Sequence, residues 1–247
     1  MQSSLCLSCA LILVLGSNLC PAEEPAKLLF EDDFERSESQ ETAEELGNGW
    51  GTNSKKRAAG NKQCDLRDGY LYLSRHAVAD HGVSLTHRAE YVDCRIEITF
   101  RLDDRNDDIG IDFADMQCKE VHAGHICKVM FRPTGVEMLD FKYGRMKRSY
   151  RDLAKAGKAT KEQQTAVAKF QRKFPCKIAT SEWHRAVVTI QGETMSVKLN
   201  GKPVGQFESP GMGHDRKDMV RFSARKNACL DDVRMFALNP HDAKEAG

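Results

Sequence analysis

The sequence lacks the short motifs by which several enzyme classes are recognised. Its 247 residues contain no Gly-x-Ser-x-Gly elbow, no phosphate-binding loop and no dinucleotide-binding glycine pattern. Their absence argues against serine hydrolases of that type, against P-loop proteins and against dinucleotide-dependent oxidoreductases. After residue 22 there is also no C-x-x-C pair, so a zinc ribbon is not expected.

Long hydrophobic runs are scarce as well. An apolar run at residues 5–15 is followed by small residues at Cys20 to Ala22 and then by acidic residues. This layout is typical of a secretory signal peptide. We therefore expect residues 1–22 to be a cleaved signal and the chain to be secreted or periplasmic, with a lipid anchor at Cys20 as the alternative. The run is too short to span a bilayer and no later segment is apolar enough, so no integral membrane span is expected.

Six of the nine cysteines remain after the predicted signal peptide. An even number in an exported chain permits up to three disulfides, whose pairing cannot be read from sequence. The alternative is that they are packed thiols, since Cys94 and Cys127 lie among apolar residues in predicted strands. The six residues are Cys64, Cys94, Cys118, Cys127, Cys176 and Cys229.

Aromatic residues are few, at 7% of the chain with two tryptophans, which counts against a strong lectin. Trp50 and Trp183 are the natural candidates for stacking on a pyranose ring, and we predict Trp50 as a substrate-binding residue. Trp183 begins a predicted strand, where an alternative role is to anchor the core.

The formal net charge is +1, but the charges are unevenly spread. Residues 142–177 contain twelve lysines or arginines against Asp152 and Glu162. Such a segment favours an anionic partner, for which we predict a sulfated glycan. Nucleic acid binding would use the same physics, but export argues against that partner. Alternatively, the segment is a solvated helix that docks on an acidic turn of the same molecule.

The dominant hydrophobic period is two, which is typical of half-buried strands. Asn200-Gly201 is a type I′ hairpin signature, and residues 150–173 form a basic, helix-tolerant stretch with Gly157 as a break. We therefore predict an all-β sandwich over residues 23–238 with one basic helical insertion, followed by a polar tail at 239–247. The clearest alternation is at Val92, Cys94, Ile96, Ile98, Phe100 and Leu102.

The order of several landmarks along the chain resembles the concanavalin A-like lectin/glucanase superfamily. The likeness spans about residues 28–236 and is nearest to the 3-keto-disaccharide hydrolases, a former domain of unknown function that is frequent in planctomycete-type bacteria. The landmarks are Leu29-Phe30-Glu31-Asp32-Asp33-Phe34, Gly49-Trp50, Asp68-Gly69-Tyr70-Leu71, Arg95-Ile96-Glu97-Ile98, Asn106-Asp107-Asp108-Ile109-Gly110-Ile111, Trp183-His184, Leu199-Asn200-Gly201-Lys202 and Leu230-Asp231-Asp232-Val233-Arg234.

The resemblance implies a jelly roll of two curved antiparallel sheets whose concave face holds sugar, and in some members cleavage of a 3-keto glycoside. It therefore predicts a carbohydrate-active protein that acts on or binds a glycoside. The alternative is a non-catalytic module that binds glycans or proteins. The chain departs from the family at residues 106–111, where Asn-Ser-Gly-Ile is usual, and at residues 137–144, which lack a Gln.

Three carboxylates are candidates for acid/base work on a glycosidic bond, since paired carboxylates perform that chemistry. Alternation places Asp112 opposite the neighbouring isoleucines, and Asp140 and then Glu137 are the further candidates for a polar concave face. With Trp50, Asp108 and Lys142 are the predicted substrate-binding residues. Residues 103–108 have the alternative of being a solvated acidic turn.

A carbohydrate-active protein of this kind is expected to need no cofactor. The acidic residues near the two ends of the domain predict a structural calcium ion. Pairing of the first and last strands would bring Asp32 and Asp33 near Asp231 and Asp232, where clustered carboxylates repel unless a cation bridges them. The alternative for Asp231 and Asp232 is a turn cap or an ion pair.

Two weaker metal patterns also occur. Asp104-x-Asn106-x-Asp108 offers alternating oxygen ligands, but Gly110 comes one residue late for an EF-hand loop. His122-x-x-His125 precedes a strand, where a turn or hydrogen-bonded role is expected instead of metal binding.

Overall fold

A computed structural model describes residues 26–238, so the predicted signal peptide and polar tail lie outside the described residues. Two antiparallel sheets pack face to face with a few short helices, which confirms the all-β jelly roll. The strands are β1 (Lys27–Asp32), β2 (Gly51–Thr52), β3 (Cys64–Arg67), β4 (Tyr70–Ser74), β5 (Val83–Tyr91), β6 (Asp93–Arg101), β7 (Ile109–Ala114), β8 (His125–Arg132), β9 (Gly135–Asp140), β10 (Gln171–Pro175), β11 (Trp183–Gln191), β12 (Thr194–Leu199), β13 (Lys202–Glu208), β14 (Lys217–Ala224) and β15 (Asn227–Leu238).

The first sheet has the strand order β13-β12-β11-β6-β15-β4-β3, with β1 also paired to β15. The second sheet has the order β10-β9-β8-β7-β14-β5-β2. The pairing of the first and last strands is therefore confirmed, with Asp32 opposite Val233. The β12–β13 turn is the predicted hairpin, and Asn200 and Gly201 both have positive φ, at 50° and 78°.

The alternating residues of β6 enter the core between the sheets. Ile96, Ile98 and Phe100 are buried there, and Phe100 lies 5.1 Å from Phe131 of the second sheet between ring centroids. Removing such an aromatic side chain from a core typically costs about 3–5 kcal/mol. Val92 differs from its prediction, because it lies between β5 and β6 and is 36% exposed. The alternation thus gave the buried face correctly but extended the strand too far.

The helical insertion consists of two helices, α2 (Arg148–Lys155) and α3 (Lys161–Ala168), preceded in the chain by the short α1 (Ser54–Arg57). Gly157, with φ +70°, lies between α2 and α3, and a capping box at Thr160 and Gln163 begins α3. Neither helix buries a residue, so both are surface elements. The helical region ends earlier than predicted, because residues 171–175 pair with β9 as an edge strand.

All six described cysteines are free thiols, and four of them are buried. Burial raises the pKa of Cys94 to about 12 and that of Cys229 to about 11, so both are uncharged at neutral pH. This arrangement agrees with the alternative prediction, in which the cysteines are packed thiols and do not form disulfides. Within residues 26–238, no helix is long and apolar enough to cross a membrane.

Candidate functional site

The outer face of the second sheet holds a cavity of about 340 Å³. Strands β7, β8 and β14 form its floor, and the segment that leads into α2 supplies part of its wall through Phe141 and Arg145. Strand alternation explains this placement. Ile109 and Ile111 of β7 enter the core, whereas Asp112 points to the opposite face and lines the cavity, as its sequence position predicted.

The buried Asp112 pairs with the half-buried His125 in the floor of this cavity. His125 Nδ1 lies 2.5 Å from Asp112 Oδ2, and Arg221 Nη1 lies 3.6 Å from Asp112 Oδ1. Burial alone would raise the pKa of Asp112, but His125, Arg221 and Lys128 outweigh it, so the pKa lies below its ordinary value. The ionised carboxylate fixes the tautomer in which Nδ1 carries the proton, which leaves Nε2 of His125 as a hydrogen-bond acceptor or base.

Lys128 extends from β8 into the same cavity. Its Nζ donates a hydrogen bond to Ser223 Oγ at 2.7 Å. Burial lowers the pKa of Lys128, although Asp112 and Asp108 oppose that shift. Gly110 makes room for this side chain, because a Cβ there would lie 2.4 Å from Lys128 Cε and 2.3 Å from Met130 Sδ.

A second cavity of about 350 Å³ adjoins the first, since Arg132 and Arg225 line both. Glu137 of β9 lies here and accepts a hydrogen bond from Arg132 Nη1 at 2.8 Å. Asp108 is fully buried beneath this region and accepts from the backbone N–H of Arg225 at 2.8 Å as well as from its side chain. Asp108 therefore holds a basic side chain at the rim and offers no free carboxylate to a ligand.

Arg145 differs from the other arginines of the cavities because no carboxylate of the described residues lies within ion-pair distance of its guanidinium, whereas Arg132, Arg221 and Arg225 each have one. It lies over the ring of Phe141, 5.0 Å from the centroid. Its side chain is exposed, but partial desolvation beside the cavity wall lowers its pKa, partly opposed by Glu137. Together the two cavities are lined by six basic and two acidic side chains, Lys128, Arg132, Arg145, Lys173, Arg221 and Arg225 against Asp112 and Glu137.

The structure does not place Asp140 with Asp112 and Glu137, because Asp140 lines neither cavity. Its carboxylate accepts hydrogen bonds from Ser209 Oγ at 2.6 Å, from Gly211 N at 2.8 Å and from Tyr143 N at 3.0 Å. These bonds join the loop after β13 to the turn after β9. The structure thus separates Asp140 from Asp112 and Glu137 and gives its carboxylate a bridging place between two loops, and its catalytic role stays a prediction.

Trp50 also lines neither cavity, so the structure does not bring it together with Asp112, and its role in substrate binding stays a prediction. Its Nε1 donates to Asp32 Oδ2 at 2.6 Å, and its ring meets Phe222 edge to face at 5.8 Å. Trp50 thus seals one end of the core. Trp183 has the more accessible ring at 40% exposure, on the outer face of the first sheet beneath the guanidinium of Arg101.

Lys142 does not line either cavity. Its Nζ lies 3.0 Å from Nδ1 of His214, in a separate cluster at the end of β7. The structure therefore does not bring Lys142 together with Asp112, and its role in substrate binding stays a prediction.

The predicted calcium ligands do not all have free oxygens. Asp32 accepts hydrogen bonds from Arg36 at 2.6 Å and 2.9 Å and from Asn48 at 2.9 Å. Burial acts against the ionised form, but these donors prevail and the pKa of Asp32 lies below its ordinary value. Asp231 behaves in the opposite way, since burial and then Asp232 raise its pKa. Calcium near Asp231 stays a prediction.

Sequence reasoning did not assign His125, Lys128 or Arg221 to this cavity, whereas Arg145 lies in the basic segment 142–177 that it predicted to favour an anionic partner. Lys128 and Arg221 each alternate with buried neighbours, so the period-two pattern already assigned them to an outer face. That pattern does not show which strands are neighbours in a sheet. A bulge in the β7–β8 ladder at Phe113 and Ala114 brings His125 close to Asp112, and no local signal indicates it.

Comparisons with known proteins support the fold. No family model and no curated protein matches the chain. The structure is similar to SCLam, a non-specific endo-beta-1,3(4)-glucanase from family GH16, with a TM-score of 0.58 and 11% identity over 89% of this chain and 94% of that one. It is also similar to carbohydrate-binding module CBM66 from Bacillus subtilis, with a TM-score of 0.50 and 10% identity over 76% and 96% of the two chains.

A sialidase matches with a TM-score of 0.57 and 10% identity over 87% of this chain, which spans 19% of the sialidase. At these identities the likeness supports the two-sheet jelly-roll fold and leaves the activity to be argued from the site itself.

Proposed function

We propose that this chain is an exported carbohydrate-active protein that binds an anionic glycan on the outer face of its second sheet. The observation that carries this proposal is the charge of the two adjoining cavities, which six basic and two acidic side chains line. Sulfate and carboxylate groups on a sugar are the ligands that arginine and lysine recognise best.

The state of the individual side chains supports an anionic ligand over a neutral one. Glu137 and Asp112 are already paired, with Arg132 and His125 respectively. Arg145 has no such carboxylate partner within hydrogen-bonding distance, and because its side chain is exposed at the cavity wall, its guanidinium is open to a ligand. A bound sulfate or carboxylate would supply the missing partner. The fold neighbours named for glucanase activity and carbohydrate binding are consistent with a sugar as the carrier of that anion.

The basic insertion extends the same surface. Arg145 lies three residues before α2, and the exposed Arg148 and Lys155 of α2 and Lys161 of α3 belong to the same basic segment. A polymer longer than the cavity would bring further anionic groups to this segment.

Hydrolysis is a second candidate function, favoured by the Asp112–His125 pair. A histidine held by a buried carboxylate is a suitable general base, and the resemblance to 3-keto-disaccharide hydrolases suggests a 3-keto glycoside as substrate. In this account His125 Nε2 takes the proton, and Asp112 is the positioning residue that stabilises the resulting imidazolium. Glu137 is the remaining carboxylate near the site.

A panel of sulfated, carboxylated and neutral oligosaccharides tests the proposal. We expect salt-sensitive binding of the anionic sugars and at least about tenfold weaker binding of their neutral counterparts. Equal binding of both would refute it. In parallel, release of 3-keto sugar from 3-keto glycosides is measured for the wild type and for His125→Gln. Turnover that His125→Gln abolishes, while anionic sugar binding persists, identifies a hydrolase; binding without turnover identifies a non-catalytic module.

A further inference from the structure

Asp115, Cys118 and His214 lie together beyond the end of β7, and none of them takes part in the proposed sugar site. Their candidate ligand atoms, a carboxylate oxygen, Sγ and an imidazole nitrogen, are all within 4.8 Å of one another. This cluster is the one with metal-ligand spacing among residues 26–238.

The backbone holds Asp115 and Cys118 in a tight turn. Asp115 follows β7 directly, and its N–H donates to the carbonyl of Gly124 at 2.9 Å. Cys118 N then donates to the carbonyl of Asp115 at 3.2 Å, so the thiol returns towards the carboxylate three residues earlier. Gly124 has φ +71°, and a Cβ there would lie 2.5 Å from the Asp115 carbonyl oxygen. Glycine is therefore required where the two segments meet.

His214 approaches this turn from the loop between β13 and β14. Its Nε2 lies 3.0 Å from Asp115 Oδ2, and the two side chains are 9% and 8% exposed. Arg216 Nη1 holds the other oxygen of Asp115 at 3.0 Å. The carboxylate is thus fixed in orientation with Oδ2 directed at the histidine.

One imidazole, one thiol and one carboxylate are the ligand types that zinc uses in proteins. Tetrahedral zinc with ordinary bond lengths needs ligand atoms about 3.3–3.6 Å apart. The separation of 3.0 Å between Asp115 and His214, and the limit of 4.8 Å for the group, require shifts of about 1 Å or less per atom to reach that geometry. A thiolate and an imidazole do not suit calcium, which prefers oxygen ligands.

We propose that Asp115, Cys118 and His214 form a site for a divalent metal of the zinc class, with water as the fourth ligand. Binding releases the Cys118 thiol proton to solvent and shifts the imidazole proton from Nε2 to Nδ1. Nδ1 now accepts a hydrogen bond from Lys142 at 3.0 Å and lies 3.6 Å from Asp215 Oδ1. After metal binding Nδ1 carries the proton and becomes a donor, so Lys142 moves away and Asp215 Oδ1 accepts a hydrogen bond from Nδ1–H.

The site adjoins the sugar cavity through one side chain. Met116, between the two ligands of the turn, has its Sδ 2.8 Å from Arg221 Nη2, and its backbone N–H donates to Asp218 Oδ1 at 2.9 Å. Arg221 lines the first cavity. Metal binding therefore holds in place the turn that supports Arg221.

The test is a zinc titration of the purified, chelator-treated protein by calorimetry, repeated with cobalt to detect a thiolate-to-cobalt absorption band. The variants are Cys118→Ser and Lys142→Met, and the matched control is Cys176→Ser, a half-buried thiol outside the cluster. We expect one zinc per chain in this site with micromolar or tighter affinity. Cys118→Ser should weaken it at least about tenfold and abolish the cobalt band, whereas Cys176→Ser should leave both unchanged.

Lys142→Met separates a metal site from a purely structural cluster. Because Lys142 occupies the nitrogen that must become a donor, its removal should tighten zinc binding about tenfold, in the range of known outer-ligand effects. The proposal is overturned if the wild type binds no zinc, or if Cys118→Ser binds zinc as tightly as the wild type. A cobalt absorption band that persists in Cys118→Ser would also overturn it. These experiments measure metal binding alone. A protein that binds no zinc could still bind an anionic sugar, and a protein that binds no sugar could still bind zinc, so the two proposals are tested separately.

Discussion

His125 and Asp112, which belong to neighbouring strands of the second sheet, are joined by a hydrogen bond of 2.5 Å across a β-bulge. This bond links a fully enclosed carboxylate to a side chain at the cavity floor. It makes Asp112 an internal partner of the site and leaves recognition to the imidazole and the surrounding cations.

Replacement of Asp112 by Asn should destabilise the protein by about 3 kcal/mol at neutral pH, because His125, Arg221 and Lys128 lose a buried counter-charge. The folded-state pKa of Asp112 lies below its ordinary 3.8. Its contribution is therefore present above pH 3.8 and is lost as the pH falls through the folded-state value. Urea unfolding across this range should show the two proteins converging at low pH. A constant difference at every pH would contradict the ion-pair account.

Gly110→Ala tests the space that Lys128 occupies. The added Cβ would lie 2.3–2.4 Å from Met130 Sδ and Lys128 Cε, so both side chains must move towards the cavity. We expect a loss of about 1–3 kcal/mol in unfolding free energy and a clear loss of sugar affinity. Gly51→Ala at the edge of the sheet, where the nearest atom is Thr86 Oγ1 at 3.1 Å, is the control for a general effect of the substitution.

Asp140→Asn should behave as a structural variant. The Asn amide would face the N–H of Gly211, which now donates to the carboxylate at 2.8 Å. We expect a loss of about 2–4 kcal/mol in unfolding free energy, while the folded fraction keeps its sugar affinity and any turnover. Asp152→Asn, on the exposed surface of α2, should change neither property. If fully folded Asp140→Asn loses turnover, the result supports the predicted catalytic role of Asp140 and contradicts a purely structural one.

Asp231→Asn should raise the melting temperature at neutral pH. Burial and the nearby Asp232, Glu35 and Asp33 disfavour the ionised form of Asp231, so removal of its charge relieves repulsion. If calcium bridges this cluster, as the sequence predicts, added calcium stabilises the wild type and has less effect on the variant. Melting temperatures measured with calcium and with chelator separate these outcomes. If calcium changes the melting temperature of neither protein, the predicted calcium site is wrong.

The sequence predicted the sandwich well because its strands alternate so regularly. The buried faces of β6 and β14 follow directly from that alternation, and the Asn200-Gly201 turn fixes one hairpin by backbone chemistry alone. The helical insertion was also visible, although its last residues join β10, since edge pairing with β9 outweighs their helix-tolerant composition.

The site was only partly predictable. Alternation assigned Asp112 to an outer face correctly, but Asp140 carries the same residue type and serves a turn, because its partners Ser209 and Gly211 are remote in sequence. Trp50 was assigned to sugar binding on residue type, whereas its contact with Asp32 draws it into the core. Long-range pairing decided each of these roles, and a single sequence does not reveal it.

The central claim is that an anionic sugar binds at the basic cavities. Calorimetric titration of a sulfated oligosaccharide against wild type, Arg145→Ala and Arg185→Ala at several salt concentrations tests it most directly. Arg185 is an exposed arginine of the first sheet that pairs with Glu97. The account predicts affinity that falls with salt, a loss of about tenfold or more in Arg145→Ala and no change in Arg185→Ala. Equal affinities for all three proteins, or equal affinity for the desulfated sugar, would contradict it.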